Sequence, residues 1–319
     1  MRSIKALELL NEGRIQELRK TLEDEVYQES LKSNPNAKRR YSAMKRYFSY
    51  SDNPREVCQK PCKIEFEGKA YTSFTNAYSL ALTTEDIGEI ELFDTANGTY
   101  PDVSRLINFN GAVKKVNFAE VLAKAKVKGY KLRKSEFYTN HFLMHYNGIY
   151  FRIPLLDITY SIIDDGEEAT VYHDEKSLRP MIIQTSIGIA VVLPIRYDGD
   201  PVNAGNIVVE VTDEGVETIV KEEIAELINR RRRQILVHSI IYYEMNDNLI
   251  SDSQWSKWAV ELAKLQNDYP SIAAECWYAE HFKGFDGSTG YNLPLDDSWG
   301  VRKARYLIDL RNTRNKHVA

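Results

Sequence analysis

Apolar positions along the chain alternate between helical spacing and a period of two, and each change predicts a switch between helix and strand. From Ile4 to Leu31 the residues Ile4, Leu7, Leu10, Ile15, Leu18, Leu22 and Val26 recur at helical spacing, with Gly13 breaking a short helix from a longer one. Ser33-Asn34-Pro35-Asn36 ends this run, and Ala37 to Tyr50 predicts a helix with Tyr41, Met44, Tyr47 and Phe48 on one side and basic residues on the other. After the turn-rich stretch from Ser51 to Pro61 the period becomes two. Lys63 to Phe66 and Ala70 to Thr75 predict strands around a Glu67-Gly68 turn, and Ser79 to Thr83 predicts another. Phe118 to Lys126 is helical. Phe137 to Tyr146 and Ile149 to Ile153 predict a hairpin around Asn147-Gly148, and Leu155 to Ile163 a short helix. Ala169 to Tyr172, Met181 to Thr185 and Ile189 to Pro194 add strands. Mixed helices and hairpin-linked strands indicate an α+β fold rather than a doubly wound parallel sheet.

Asp198-Gly199-Asp200-Pro201-Val202-Asn203-Ala204-Gly205 is the best linker candidate, with one strand possible at Ile207 to Val211. From Lys221 the pattern is helical apart from the Gly-rich stretch Gly284 to Gly290. The expected organisation is a helical leader (1–50), an α+β domain (51–198), a linker (199–220) and a helical module (221–319). No apolar run approaches the ~18 residues that cross a bilayer. The charged amphipathic start is unlike a signal peptide, so a cytoplasmic protein with no membrane partner is expected.

Composition adds little to this, and charge somewhat more. Three cysteines suit a reducing compartment rather than a disulfide framework, and Cys58-x-x-x-Cys62 has no second pair with which to complete a metal site. The net charge of −4 argues for no global polyanion partner. Basic residues are nevertheless clustered: Lys38-Arg39-Arg40 with Lys45-Arg46, then Lys114-Lys115 with Lys124, Lys126, Lys128, Lys131, Arg133 and Lys134, and finally Arg230 to Arg233. Each cluster is dense enough to touch phosphate, and each is also readable as a solvated helix face. His141-x-x-x-His145 falls in a strand-like run, where the two rings would stand about 13 Å apart at ~3.3 Å per residue, so no metal site is expected there.

The run from His238 to Trp258 ends one helix at Tyr242-Tyr243, turns, and starts another at a Ser251 or Asp252 cap, with Trp255 a turn further on. In a register that needs no gap across roughly thirty residues it resembles the N-terminal nicotinamide-recognition (Ia) subdomain of NAD-dependent DNA ligases, the resemblance covering about residues 221–275. The resemblance implies that Tyr242, Tyr243, Asp252 and Trp255 face NAD or nicotinamide mononucleotide (NMN). Tyr243 and Ser256 depart from the family's usual His and Asp. Independently of any family, two aromatics and a carboxylate at a helix junction can hold a planar cationic ring. Alternatively Tyr242 and Trp255 pack the hairpin together and Asp252 caps a helix. The adenylating Lys-x-Asp-Gly is missing: Lys283-Gly284-Phe285-Asp286-Gly287 has one residue too many. No Ser/His/Asp arrangement, carboxylate pair or phosphate-binding loop stands out either, so a non-enzymatic protein is expected.

Thr99-Tyr100-Pro101-Asp102-Val103-Ser104-Arg105-Leu106-Ile107 resembles a domain junction of the bacterial replication sliding clamp. Similarity of element order extends over about residues 64–197, including Tyr71 to Leu82 and the Leu193-Pro194-Ile195-Arg196 ending. The resemblance implies a reduced clamp-like domain that meets DNA phosphates through helices carrying Lys38, Arg39, Arg40, Lys45, Arg46, Lys124 and Lys128. The Gly-rich stretch also resembles small phage proteins with the same ligase-like hairpin, a resemblance that implies an infected bacterial host as the setting. The leading expectation is a phage accessory factor of DNA replication or repair that contacts DNA or replication proteins, with a homo-oligomer possible. The other expectations are a module that binds NAD or NMN, and a catalytically silent interaction or host-conflict factor.

Overall fold

The computed structural model describes residues 2–50, 53–96, 98–173, 178–197 and 199–318. The fold is α+β and divides into two compact units, Met1–Gly199 with Ile207–Thr218, and Asp200–Asn206 with Ile219–Ala319.

The first unit opens with α1 (Arg2–Asn11), α2 (Ile15–Ser30) and α3 (Pro35–Tyr47). Asn34 caps α3, its side chain accepting from the Ala37 amide at 3.1 Å, and Pro35 supplies the pre-set first helical residue. There follow β1 (Cys62–Phe66), β2 (Lys69–Thr75), β3 (Ser79–Thr83), β4 (Ala112–Val116), α4 (Phe118–Val127), β5 (Phe142–Tyr146), β6 (Ile149–Arg152), α5 (Ile153–Ile163), β7 (Ala169–His173), β8 (Met181–Gln184), β9 (Gly188–Val192), β10 (Ile207–Thr212) and β11 (Gly215–Ile219). Both predicted two-residue turns have left-handed backbones, Glu67-Gly68 at φ 49° and 73° and Asn147-Gly148 at φ 48° and 74°. This is the twist that lets two-residue loops close hairpins.

One sheet runs β1-β2-β3-β9-β8-β7-β4 and is antiparallel throughout; the other runs β11-β10-β5-β6. Both central strands of the large sheet, β3 and β9, are buried along their whole length. On one face they meet Phe66, Val103, Ile107 and Ile182. On the other lies α5, every residue of which is buried. Thr159 of α5 donates to Ser79 Oγ at 2.7 Å and Gly188 is pressed against Ile163, so helix and sheet approach as closely as backbone allows.

Two expectations are corrected. Residues 1–50 are not a leader set apart, because Tyr41, Ala43, Met44 and Tyr47 of α3 sit in the main core beside Leu155, Ile158 and Ile162. Nor is 199–220 a linker: β10 pairs in parallel with β5 from Ile207–Phe142 to Val211–Tyr146, while Asp198, at the start of the candidate stretch 198–205, lies outside the described residues.

Asp157 of α5 is buried, accepting from Tyr130 Oη at 3.0 Å, and burial pushes its carboxyl above the ordinary range. A carboxyl raised by folding stabilises fully below its unfolded value, and that contribution is lost as pH rises through the folded value. Asp157→Asn, which keeps an acceptor for Tyr130, is therefore expected to stabilise the fold at pH 8 and much less at pH 4. Denaturant melts at the two pH values check this; an equal loss at both would contradict it.

The second unit is helical: α6 (Lys221–Tyr243), α7 (Asp252–Asp268), α8 (Pro270–Glu275) and α9 (Ser298–Val318). Ile228, Ile235, Leu236 and Ile240 of α6 are buried, as are Ala259 and Leu262 of α7, Ile272 of α8 and Ala304 of α9. Among the described residues no helix is long and apolar enough to cross a membrane.

Candidate functional site

The site is made by the way α6 ends and α7 begins. Asn246 takes a left-handed backbone at φ 48° and turns the chain. The turn is held from α9, where Arg311 binds Asp247 through both terminal nitrogens at 2.8 and 2.7 Å. Ser251, rather than Asp252, is the N-cap of α7: its Oγ accepts from the Gln254 amide at 3.2 Å. Asp252 is left exposed at the first helical position, with no ion pair or hydrogen-bond partner among the described residues.

Between the two helix ends lies a cavity of about 220 Å³, lined among others by Tyr242, Tyr243, Asp252 and Trp255. These are the four residues that the ligase resemblance singles out. Tyr242 is 56% exposed and Tyr243 40%, too much for rings whose task is to pack the hairpin. They meet edge to face at 4.9 Å and 88°, which holds the two rings at right angles in the lining. Trp255 is half-buried.

The third wall comes from the Gly-rich stretch. Asp286 organises the turn by accepting from the Ser288 amide at 2.9 Å, and Ser288 and Thr289 then face the cavity. Thr289 is hydrogen-bonded to Tyr243 Oη at 3.3 Å, and Tyr291 meets the Tyr243 ring at 5.4 Å. Gly290 is pressed so closely against Ser239 and Trp255 that a Cβ there would overlap Ser239 Oγ. His238 and Ser239 complete the lining from α6, and burial holds the His238 imidazole below its ordinary value, hence neutral at pH 7. The sequence marks the stretch Gly284 to Gly290 as a turn, but nothing local says that it folds back onto α6. His238, Ser239 and Asn248 carry no local signal at all.

Chemically, the arrangement offers aromatic faces, hydroxyls and one carboxylate. No nucleophile is paired with a base among the lining residues, and Lys283 is exposed on the turn. Among the described residues no group of three His, Cys, Asp or Glu side chains could hold a metal ion. His145 instead binds Glu210 at 3.1 Å and stacks on Tyr150.

The basic residues expected to meet DNA are placed unevenly. Arg40 is buried, pairing with Glu85 at 2.5 Å and donating to the Asp164 carbonyl at 2.9 Å. Arg39 pairs with Asp164 and Lys45 with Asp24. Arg46 donates to the Ser42 carbonyl of its own helix at 3.1 Å, and Lys38 is exposed. On α4, Lys124 and Lys126 are exposed and Lys128 half-buried, while Lys131 and Arg133 beyond it are exposed. In the run Arg230 to Arg233, Arg230 pairs with Glu226 and Arg231 with Glu261, Arg233 lies over Trp277, and Arg232 is buried. Compared with models of protein families, with curated proteins and with solved structures, the chain matches none.

Proposed function

We propose that the C-terminal helical unit is a non-enzymatic binding module for a nicotinamide nucleotide, NMN or the nicotinamide half of NAD. The observation that carries this reading is the cavity between the helix ends, where Tyr242, Tyr243, Asp252 and Trp255 converge. A positively charged pyridinium ring is stabilised by the negative face of an aromatic ring and by a carboxylate at the rim. The cavity is below the ~300–1,000 Å³ typical of sites for larger ligands, which suits a ring and its sugar rather than a whole dinucleotide. All four tryptophans, Trp255, Trp258, Trp277 and Trp299, belong to this unit, so intrinsic tryptophan fluorescence reports on it alone. Titration with NMN is expected to quench that signal saturably; an unchanged spectrum at millimolar ligand would count against the module.

A second reading, binding to DNA phosphates in replication or repair, is supported by α4. Lys124, Lys126, Lys131 and Arg133 are exposed without an ion-pair partner among the described residues, whereas three α3 cations are already neutralised by Asp24, Glu85 and Asp164. On this reading Lys124→Glu with Lys126→Glu removes salt-sensitive DNA binding and lowers the salt slope by about 1 for each phosphate that is no longer neutralised. Lys45→Glu has little effect. Wild-type protein that shows no retention on DNA at low salt would end the reading.

A further inference from the structure

The charges around the cavity say how much of a nucleotide it recognises. Among the lining side chains Asp252 is the sole formal charge, and no Lys or Arg faces the cavity. A phosphate ester carries a second ionisation near pH 6 and is close to doubly negative at pH 7. In a site built for it, that charge meets guanidinium or ammonium groups, or a row of free backbone amides. One source of amides here is the start of α7. There Ser251 Oγ already takes the Gln254 amide, and the Asp252 carboxylate sits at the first helical position, where it offsets the positive end of the helix dipole. A phosphate reaching the α7 rim would meet the exposed Asp252 carboxylate there.

The rest of the lining suits a nucleoside. Tyr242, Tyr243 and Trp255 offer ring faces, while Ser256, Ser288 and Thr289 offer hydroxyls that can pair with those of a sugar. The small volume holds the ring and sugar and leaves a 5′ substituent in solvent.

Resting on the nicotinamide reading above, we infer that the site recognises the cationic nucleoside, nicotinamide riboside, and treats the 5′-phosphate as a penalty rather than an anchor. The module thereby discriminates dephosphorylated from phosphorylated forms of the same base, with Asp252 as the discriminating residue.

Calorimetric titration of the full chain with nicotinamide riboside, NMN and nicotinic acid riboside tests this. Expected at low salt is riboside binding about three- to tenfold tighter than NMN, from one carboxylate opposing a dianion several ångströms away in water. The gap is expected to shrink at high salt as the charges are screened, and to close in Asp252→Asn. Nicotinic acid riboside, whose extra carboxylate cancels the ring charge, is expected to bind more weakly than either. NMN binding tighter than the riboside, or a ratio unmoved by Asp252→Asn, would overturn the inference while leaving the nicotinamide site standing. Silence from every ligand would remove the site and the inference together.

Discussion

Arg232→Ala is expected to cost the C-terminal unit about 3–5 kcal/mol and to unfold it well before the first unit. Arg232 stands on the buried face of α6 between Ile228 and Ile235, and is itself only 2% exposed. Its guanidinium donates to Gln266 Oε1 at 3.0 and 2.8 Å and to the carbonyls of Ala273, Cys276 and Trp277 at 3.0, 3.2 and 2.9 Å. Those carbonyls close the end of α8, where a positive charge is favoured by the helix dipole and where chain ends otherwise leave acceptors unsatisfied. Burial lowers the guanidinium pKa, but arginine starts so high that it stays charged. Alanine would strand buried acceptors and open a cavity in one step. Tryptophan fluorescence followed in urea isolates this unit; a midpoint shift worth less than about 1 kcal/mol would show that the staple is dispensable.

Tyr242→Ala is expected to weaken nicotinamide nucleoside or nucleotide binding by about ten- to a hundredfold. Stacking on an aromatic side chain is worth roughly 1–3 kcal/mol per base when it is truncated, and each ~1.4 kcal/mol is tenfold in affinity. Because Tyr242 is mostly exposed, its removal leaves stability within about 0.5 kcal/mol, so weakened binding cannot be ascribed to impaired folding. Trp255→Ala is less clean, since the half-buried indole also supports Gly290. Tyr306→Ala supplies a control: this ring is also 56% exposed, but it stands on α9 and does not line the cavity. Equal affinity in wild type and Tyr242→Ala would mean that the ring is not stacked.

What could be read from the sequence was local in origin. Glu67-Gly68 and Asn147-Gly148 announce their hairpins because each turn needs the left-handed backbone that these residues adopt. The end of α6 and the Ser251 cap of α7 are likewise short-range, whereas the choice of Tyr242, Tyr243, Asp252 and Trp255 as site residues rests on the ligase resemblance. The unread features depend on partners distant in the chain. The parallel pairing of β10 with β5 has no hairpin to signal it. The apolar stripe of α3 is visible, but its burial depends on α5, and the carboxylates that neutralise Arg39 and Arg40 come from Asp164 and Glu85. The burial of Arg232 among four successive arginines follows from helical phase with Ile228 and Ile235, a signal present in the sequence but masked by the charge run.

Local and distant signals divide in the same way for the region that the sequence led us to expect as clamp-like. Electrostatic binding to DNA needs exposed Lys and Arg side chains that can reach phosphate. α4 has such a face in Lys124 and Lys126, whereas α5 has no exposed residue, its surface covered by the sheet on one side and by α3 on another. A DNA-binding surface built on this unit would therefore use α4 and the basic stretch beyond it.

Calorimetry of the full chain against nicotinamide riboside and NMN tests the central claim most directly. The predicted result is one saturable site per chain for both ligands, tighter for the riboside and weakened at least tenfold by Tyr242→Ala. No heat from either ligand, or binding that survives Tyr242→Ala unchanged, would contradict it.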